Sequence, residues 1–325
     1  MRRPIAAVLA ATVLLLAAGC GSSSSNKPTG SAASGGAPDK VNVGVIAIVD
    51  VAPIYLGEQK GFFAQHGIDL TLTAAQGGAA IVPAVVSGQF QFGFSNVVSL
   101  LLASSKGLPL KMVCNGAAST GKAGDDYGAV MVKKDSPIKT AADLAGRKVA
   151  VNTLNNIGDT TTRAAIRKAG GDPAKVSFVE MPFPNMAAAL QAGQVDAIFV
   201  VEPFVTAVLG AGGRVVSSVF AETAPDLTVA TYFTSKQLAG SDPDLVTRFA
   251  AAMQQSLAYA DAHPDEVRTA LGTYTKITPD QAAKLILPKW PPAVNKASVQ
   301  TLADLAKGDG VLTQPVKLDD LLPSS

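Results

Sequence analysis

Cysteine and histidine are nearly missing from this chain, with two of each in 325 residues. Cys114 sits in the apolar phrase Leu110-Lys111-Met112-Val113-Cys114, with no histidine near it, and reads as a small buried hydrophobe, not as a nucleophile or metal ligand. His66 borders Gly67 at a helix end and His263 precedes Pro264; both read as surface residues. There is no HExxH helix, no GxSxG elbow and no P-loop. The residues thus offer no catalytic constellation, and the chain reads as a non-enzyme without metal or cofactor. Charge is also scarce, at 16% of residues with a net of +2, so the basic stripe of a nucleic-acid binder is lacking. The apolar run at residues 5–18 is shorter than the roughly 20 residues that a membrane span requires.

That run belongs to a targeting segment. Met1-Arg2-Arg3 supplies a short positive region, the apolar stretch follows, and small residues lead to Ala17-Ala18-Gly19-Cys20. This is the three-part plan of a secretory signal. Cys20 after Ala-Ala-Gly resembles the lipobox of bacterial lipoproteins, which implies cleavage after residue 19 and lipidation of Cys20. One departure is Leu16, four places before Cys20 where three is commoner; the other reading is ordinary secretion with a free thiol. Residues 20–40 are rich in Gly and Ser, have little to bury, and read as a flexible tether carrying the fold on its anchor.

The whole chain is 48% hydrophobic, enough for the remainder to form a sizeable core. Val41-Asn42-Val43-Gly44-Val45-Ile46-Ala47-Ile48 reads as a buried strand. Helical pattern follows at 53–65, strand at 68–73, helix at 79–87, strand at 90–94, helix at 97–105 and strand at 110–115. The alternation then restarts: strands at 129–132, 148–151, 176–179 and 197–201 are interleaved with a capped turn at 140–146 and helices at 160–169 and 185–192. After 214–219 and 228–234 the chain turns helical, at 242–262, 279–287 and 298–307. Strand alternating with helix predicts mainly parallel sheets flanked by helices. Two such units in series, with the strand near 228–234 returning to the first, predict two lobes: 41–128 with 225–325, and 129–224. Ligands of open α/β sheets sit at the carboxyl ends of the strands, here the cleft between the lobes.

Four phrases, in order, carry a resemblance. They are Gly57-Glu58-Gln59-Lys60-Gly61-Phe62-Phe63-Ala64-Gln65-His66-Gly67-Ile68; Ser87-Gly88-Gln89-Phe90-Gln91-Phe92-Gly93; Asp143-Leu144-Ala145-Gly146-Arg147-Lys148-Val149-Ala150-Val151; and Leu190-Gln191-Ala192-Gly193-Gln194-Val195-Asp196-Ala197 followed by Glu202-Pro203-Phe204. Together they resemble binding proteins for sulfonates, nitrate, taurine and thiamine-pyrimidine precursors. The resemblance implies a two-lobed periplasmic-binding-protein-like fold of type II. It also implies a monomeric receptor outside the cytoplasm that hands a small solute to the permease and ATPase of an ABC importer. Asp143 and Asp196 within these phrases read as structural.

Loops at the predicted strand ends hold the candidate ligand residues: Asp50; Gln76 and Gly78; Ser95 and Asn96; Asn155, Asp159, Thr160 and Thr161; Asn185; and Glu202. Several open helices, where free N–H groups and the dipole favour an anion. The same residues also suit N-caps, and for Asp159 the cap is the favoured reading. Glu202 reads equally as a hinge partner or as the acceptor of an amine. Tyr127 and Phe183 are candidates for stacking on the solute or for the core. No Lys or Arg falls at these strand ends, whereas Asp50, Asp159 and Glu202 are acidic, so nitrate ranks below a taurine-like amino-sulfonate or an aminopyrimidine. Two rivals stand beside import. The first is a sensory receptor. The second is a pyrimidine-synthase-like enzyme, for which the family resemblance would require a cysteine cluster that this chain lacks.

Overall fold

A computed structural model describes residues 37–323; the expected signal segment and lipidation at Cys20 lie outside them. The first β-prone run forms β1 (Asp39–Val45), with Val41, Val43 and Val45 fully buried. It is parallel to both neighbours, β2 (Ile68–Ala74) and β3 (Phe92–Asn96). The link from β1 to β2 passes through a 3-10 turn at Val49–Val51, then α1 (Ala52–Gln59) and α2 (Phe62–Gln65). The sequence predicts one continuous helix here. The structure breaks it at Gly61, whose φ of 74° is a left-handed conformation that glycine adopts without strain. Helices α3 (Gly78–Val86) and α4 (Val97–Ser105) and strand β4 (Leu110–Ala118) complete this stretch.

The second sheet is built from β5 (Gly128–Val132), β6 (Lys148–Val151), β7 (Ser177–Glu180), β8 (Ala197–Val201) and β9 (Arg214–Ser217). Around it lie α5 (Ile157–Lys168), α6 (Phe183–Gln191), α7 (Phe204–Gly210) and α8 (Val219–Thr223). Two phrases of the sequence pattern have structural work here. Thr140 and Asp143 form a capping box on the 3-10 turn Ala141–Leu144, and Asp196 accepts from the Lys148 amide at 2.8 Å. β10 (Thr228–Ser235) then returns the chain to the first sheet.

The two sheets share one plan. Their orders are β2-β1-β3-β10-β4 and β7-β6-β8-β5-β9. In each, one strand runs antiparallel to both its neighbours: β10 between β3 and β4, and β5 between β8 and β9. These are the strands by which the chain enters from the other unit. The result is a two-lobed α/β fold with mainly parallel sheets. The two crossing segments meet where the Ser119 amide donates to Leu227 O at 2.9 Å.

The rest is helical: α9 (Lys236–Ser241), α10 (Pro243–Ala262), α11 (Pro264–Tyr274), α12 (Pro279–Ala282), α13 (Lys296–Gly308) and α14 (Leu318–Leu321). α10 seals the first lobe, with Phe249 stacked on Phe92 at 3.8 Å. The helix expected over 279–287 ends at Ala282; the next three amides close local turns back onto it, and the Ile286 amide donates to Glu202 Oε1 at 3.2 Å. α13 packs against both α4 and α5, and so touches both lobes. Among the described residues, no helix is long and apolar enough to cross a membrane.

Candidate ligand cleft between the two sheets

Where β1, β3, β6 and β8 end, the two lobes enclose a small cavity of about 30 Å³. The first lobe contributes Ile46, Ile48, Asp50, Phe94 and Asn96. The second contributes Asn152, Ile157, Phe183, Phe199 and Phe220. Its mouth is a groove of about 300 Å³ that shares Ile46, Ile48 and Phe183 and adds Gln76, Pro184 and Phe204. The inner cavity holds little more than one water, too small for an organic solute as it stands. No lysine, arginine or histidine lines either space. Phe183 stacks with Phe204 at 5.5 Å and packs near Phe199, so the second lobe presents an aromatic wall.

Asp50 sits on the 3-10 turn after β1 and is 2% exposed. Its Oδ2 accepts from the Tyr127 hydroxyl at 3.2 Å, while Oδ1 has no hydrogen-bond partner. Burial pushes its pKa up to about 7, against opposing hydrogen bonds from backbone and Tyr127, and the nearby Asp126 adds to the rise. Its backbone is held by the Trp290 indole, which donates to Asp50 O at 3.2 Å, and by the Tyr274 hydroxyl on Ile48 O at 3.1 Å.

Across the cavity, helix starts converge. Asn96 caps α4 by accepting from the Ser99 amide at 2.9 Å, and the same oxygen accepts from Ile157 N of α5 at 3.3 Å, joining the lobes. α3 opens on Gly77-Gly78 with no side-chain cap. A Cβ on Gly78 would lie 2.0 Å from Ser95 Oγ, and one on Gly77 would lie 2.8 Å from Thr153 Oγ1 of the second lobe. Only glycine lets this backbone approach so closely.

Of the residues singled out in the sequence, Asp50, Asn96 and Phe183 line the cavity, Gln76 and Phe183 line its mouth, and Gly78 and Ser95 pack against each other behind it. The others are placed elsewhere. Asp159 is spent on the cap of α5, its oxygens accepting from the Asn155 and Asn156 amides, each at 2.8 Å. Thr160 and Thr161 are buried in α5, with Thr161 Oγ1 donating back to Ile157 O. Asn155 is exposed on a separate groove beside Leu108 and Leu154, and Asn185 is exposed on α6. Tyr127 is fully buried and packs on Phe220, so it reaches the cleft only through Asp50.

Glu202 is buried and its bonds join the two lobes. Its carboxylate accepts from the Thr206 amide and hydroxyl and from Ile286 N, and its carbonyl accepts from Val49 N. Burial raises its pKa and these bonds oppose the rise. Lining residues that the sequence reading missed include Phe94, Phe199, Phe220 and Asn152. Asn152 directly follows β6 and was open to the strand-end rule. The phenylalanines looked like any other core residue.

Against known proteins, residues 48–267 match the family model described as NMT1/THI5 like. The chain is 29% identical over 229 residues to the taurine-binding periplasmic protein of Escherichia coli K12, covering 69% of this chain and 68% of that one. It is 23% identical over 145 residues to the formylaminopyrimidine-binding protein of Halalkalibacterium halodurans, covering 45% of this chain and 42% of that one. The alkanesulfonate-binding protein SsuA of Xanthomonas axonopodis pv. citri, solved bound to MOPS, superposes with a TM-score of 0.73 at 19% identity, over 88% of this chain and 99% of that one.

Proposed function

Because the chain belongs to the NMT1/THI5-like family, we propose that it is the extracytoplasmic solute-binding component of an ABC importer and acts as a receptor, not an enzyme. In this reading residues 1–19 are a signal peptide, Cys20 carries the lipid anchor, and residues 20–40 tether lobes formed by 41–128 with 225–325 and by 129–224. A monomer captures one small polar organic solute and presents its closed form to the permease. The observation that carries the reading is the cavity at the strand ends, walled by side chains of both lobes. A solute held there contacts both lobes at once and favours closure by the contacts it gains.

A taurine-like aliphatic sulfonate is the favoured cargo. The taurine-binding relative supports it, as does the start of α3, whose N–H groups no side chain caps and which favours a sulfonate. A specific observation also favours a second cargo, a thiamine-pyrimidine precursor: Phe94, Phe183, Phe199 and Phe220 offer aromatic faces to a flat ring. Nitrate ranks below both, since no cationic side chain lines the cavity.

The test is a thermal-shift and calorimetric panel of sulfonates, taurine, nitrate, aromatic acids and aminopyrimidines. One class is expected to raise the melting temperature saturably, with affinity about tenfold lower in Phe183→Ala for loss of one ring contact. A panel without a single binder would overturn the receptor reading.

A further inference from the structure

We propose that the unpartnered Oδ1 of Asp50 is the specificity element of the cleft, accepting an N–H from an amino or amidino group of the solute, so that the cargo is nitrogenous and oxyanions without such a group are rejected. The inference rests on the receptor reading above and narrows its substrate class.

The carboxylate walls the cavity and is 2% exposed. One oxygen is occupied by Tyr127, and the other is buried with no donor. The titratable groups facing it from the surrounding elements are Asp126 and Tyr127 before β5, Tyr232 on β10 and Tyr274 of α11. None is cationic, and no lysine, arginine or histidine pairs with Asp50 among the described residues. A buried polar atom without a partner costs free energy, and more when it is charged. The protein therefore leaves a donor position for the solute to fill. That position is fixed in advance, because Trp290 and Tyr274 hold the turn at Asp50 O and Ile48 O. A solute with no N–H would strip water from Oδ1 and offer nothing in return, which is how a hydrogen-bonding site rejects an analogue lacking the group.

Proton linkage gives a second signature. Without a cationic partner the carboxyl takes up a proton near pH 7. A protonated amine beside it favours the ionised form. Binding below about pH 7 therefore expels a proton, and affinity for a cationic solute rises with pH until the free carboxyl is ionised.

The test uses matched pairs on the purified full chain: taurine against ethanesulfonate, and an aminopyrimidine against the same ring without its amino group, with nitrate alongside. Titrations run at pH 6 and pH 8, in two buffers of different ionisation enthalpy. In at least one pair the amino member is expected to bind about 100-fold or more tightly than its partner. At pH 6 its binding should release protons, and both the preference and the release should vanish in Asp50→Asn. Tyr127→Phe supplies a second variant. It removes the donor that stabilises the carboxylate, so proton release should persist to higher pH. Binding of ethanesulfonate or nitrate within about threefold of the amino member overturns the inference while the receptor reading stands. Wild-type selectivity retained in Asp50→Asn overturns it in the same way. If no member of any pair binds, the receptor reading itself fails and the inference goes with it.

Discussion

At the scale of single residues, Asp50 gives the unliganded protein an unusual pH response. Its pKa rises from an ordinary 3.8 to about 7, so between these values the folded state holds a proton that the unfolded chain has released. The stability it contributes is present in full below about pH 4 and is lost as pH climbs through about 7. Burial shifts Glu202, Asp126 and Asp159 in the same direction. Calorimetric melting without solute should therefore show a melting temperature that falls from pH 5 to pH 8, with a smaller fall in Asp50→Asn; equal slopes would remove Asp50 from this account. Gly78 makes a different demand. An added Cβ meets Ser95 Oγ at 2.0 Å and Ser95 Cα at 2.8 Å, and the second of these is backbone that cannot swing away. Gly78→Ala should destabilise by about 1–3 kcal/mol through overpacking and loosen the wall of the cleft. Ser95→Gly in the same chain should recover only the part due to the hydroxymethyl group. Denaturant melts of the single and double variants measure both.

At the scale of elements, caps decide where helices begin. α5 starts at Ile157, three residues before the apolar pattern suggests, because Asn156 and Asp159 form a reciprocal capping box ahead of it. Asp159→Ala should cost about 1 kcal/mol of stability and leave solute affinity within about twofold, since its oxygens are spent on backbone amides; a large loss of affinity with little loss of stability would return Asp159 to the ligand. The same comparison shows what was legible from residues alone. The bounds of α4, β6 and β8 could be read directly, because each is a dense apolar run closed by a clear stop or cap. The break at Gly61 and the early end of α12 could not. The first depends on a left-handed glycine; beyond the second the chain tightens into local turns and Glu202, 84 residues away, takes the amide of Ile286. The site follows the same division. Asp50, Asn96 and Phe183 occupy strand or helix ends and were accessible to the strand-end rule. Phe94 and Phe199 sit inside apolar strands and Phe220 on a short helix, each like any core residue, and only the meeting of the two lobes brings them to one cavity.

At the scale of the molecule, the proposed capture of a solute requires reversible closure, and α13 lies where it can bias that equilibrium. The helix is tied to the first lobe: the amide of Thr228 on β10 donates to Ser298 Oγ at 3.0 Å, and Asn295 N donates to Thr228 Oγ1 at 2.9 Å. Its other side packs on α5 of the second lobe, where Arg167 pairs with Asp309. The Asp309 side chain is only 7% exposed, so removing Arg167 leaves a nearly buried carboxylate without its counter-charge. That costs the closed form, in which the two approach, more than an open form in which water reaches Asp309. Arg167→Ala should therefore shift the unliganded population toward open, seen as a larger radius of gyration by solution scattering. Affinity should drop in proportion to the lost fraction of closed protein, while saturating solute restores the compact value. If scattering and affinity both stay at wild-type values, the contact of α13 with α5 is passive packing and does not bias the proposed closure.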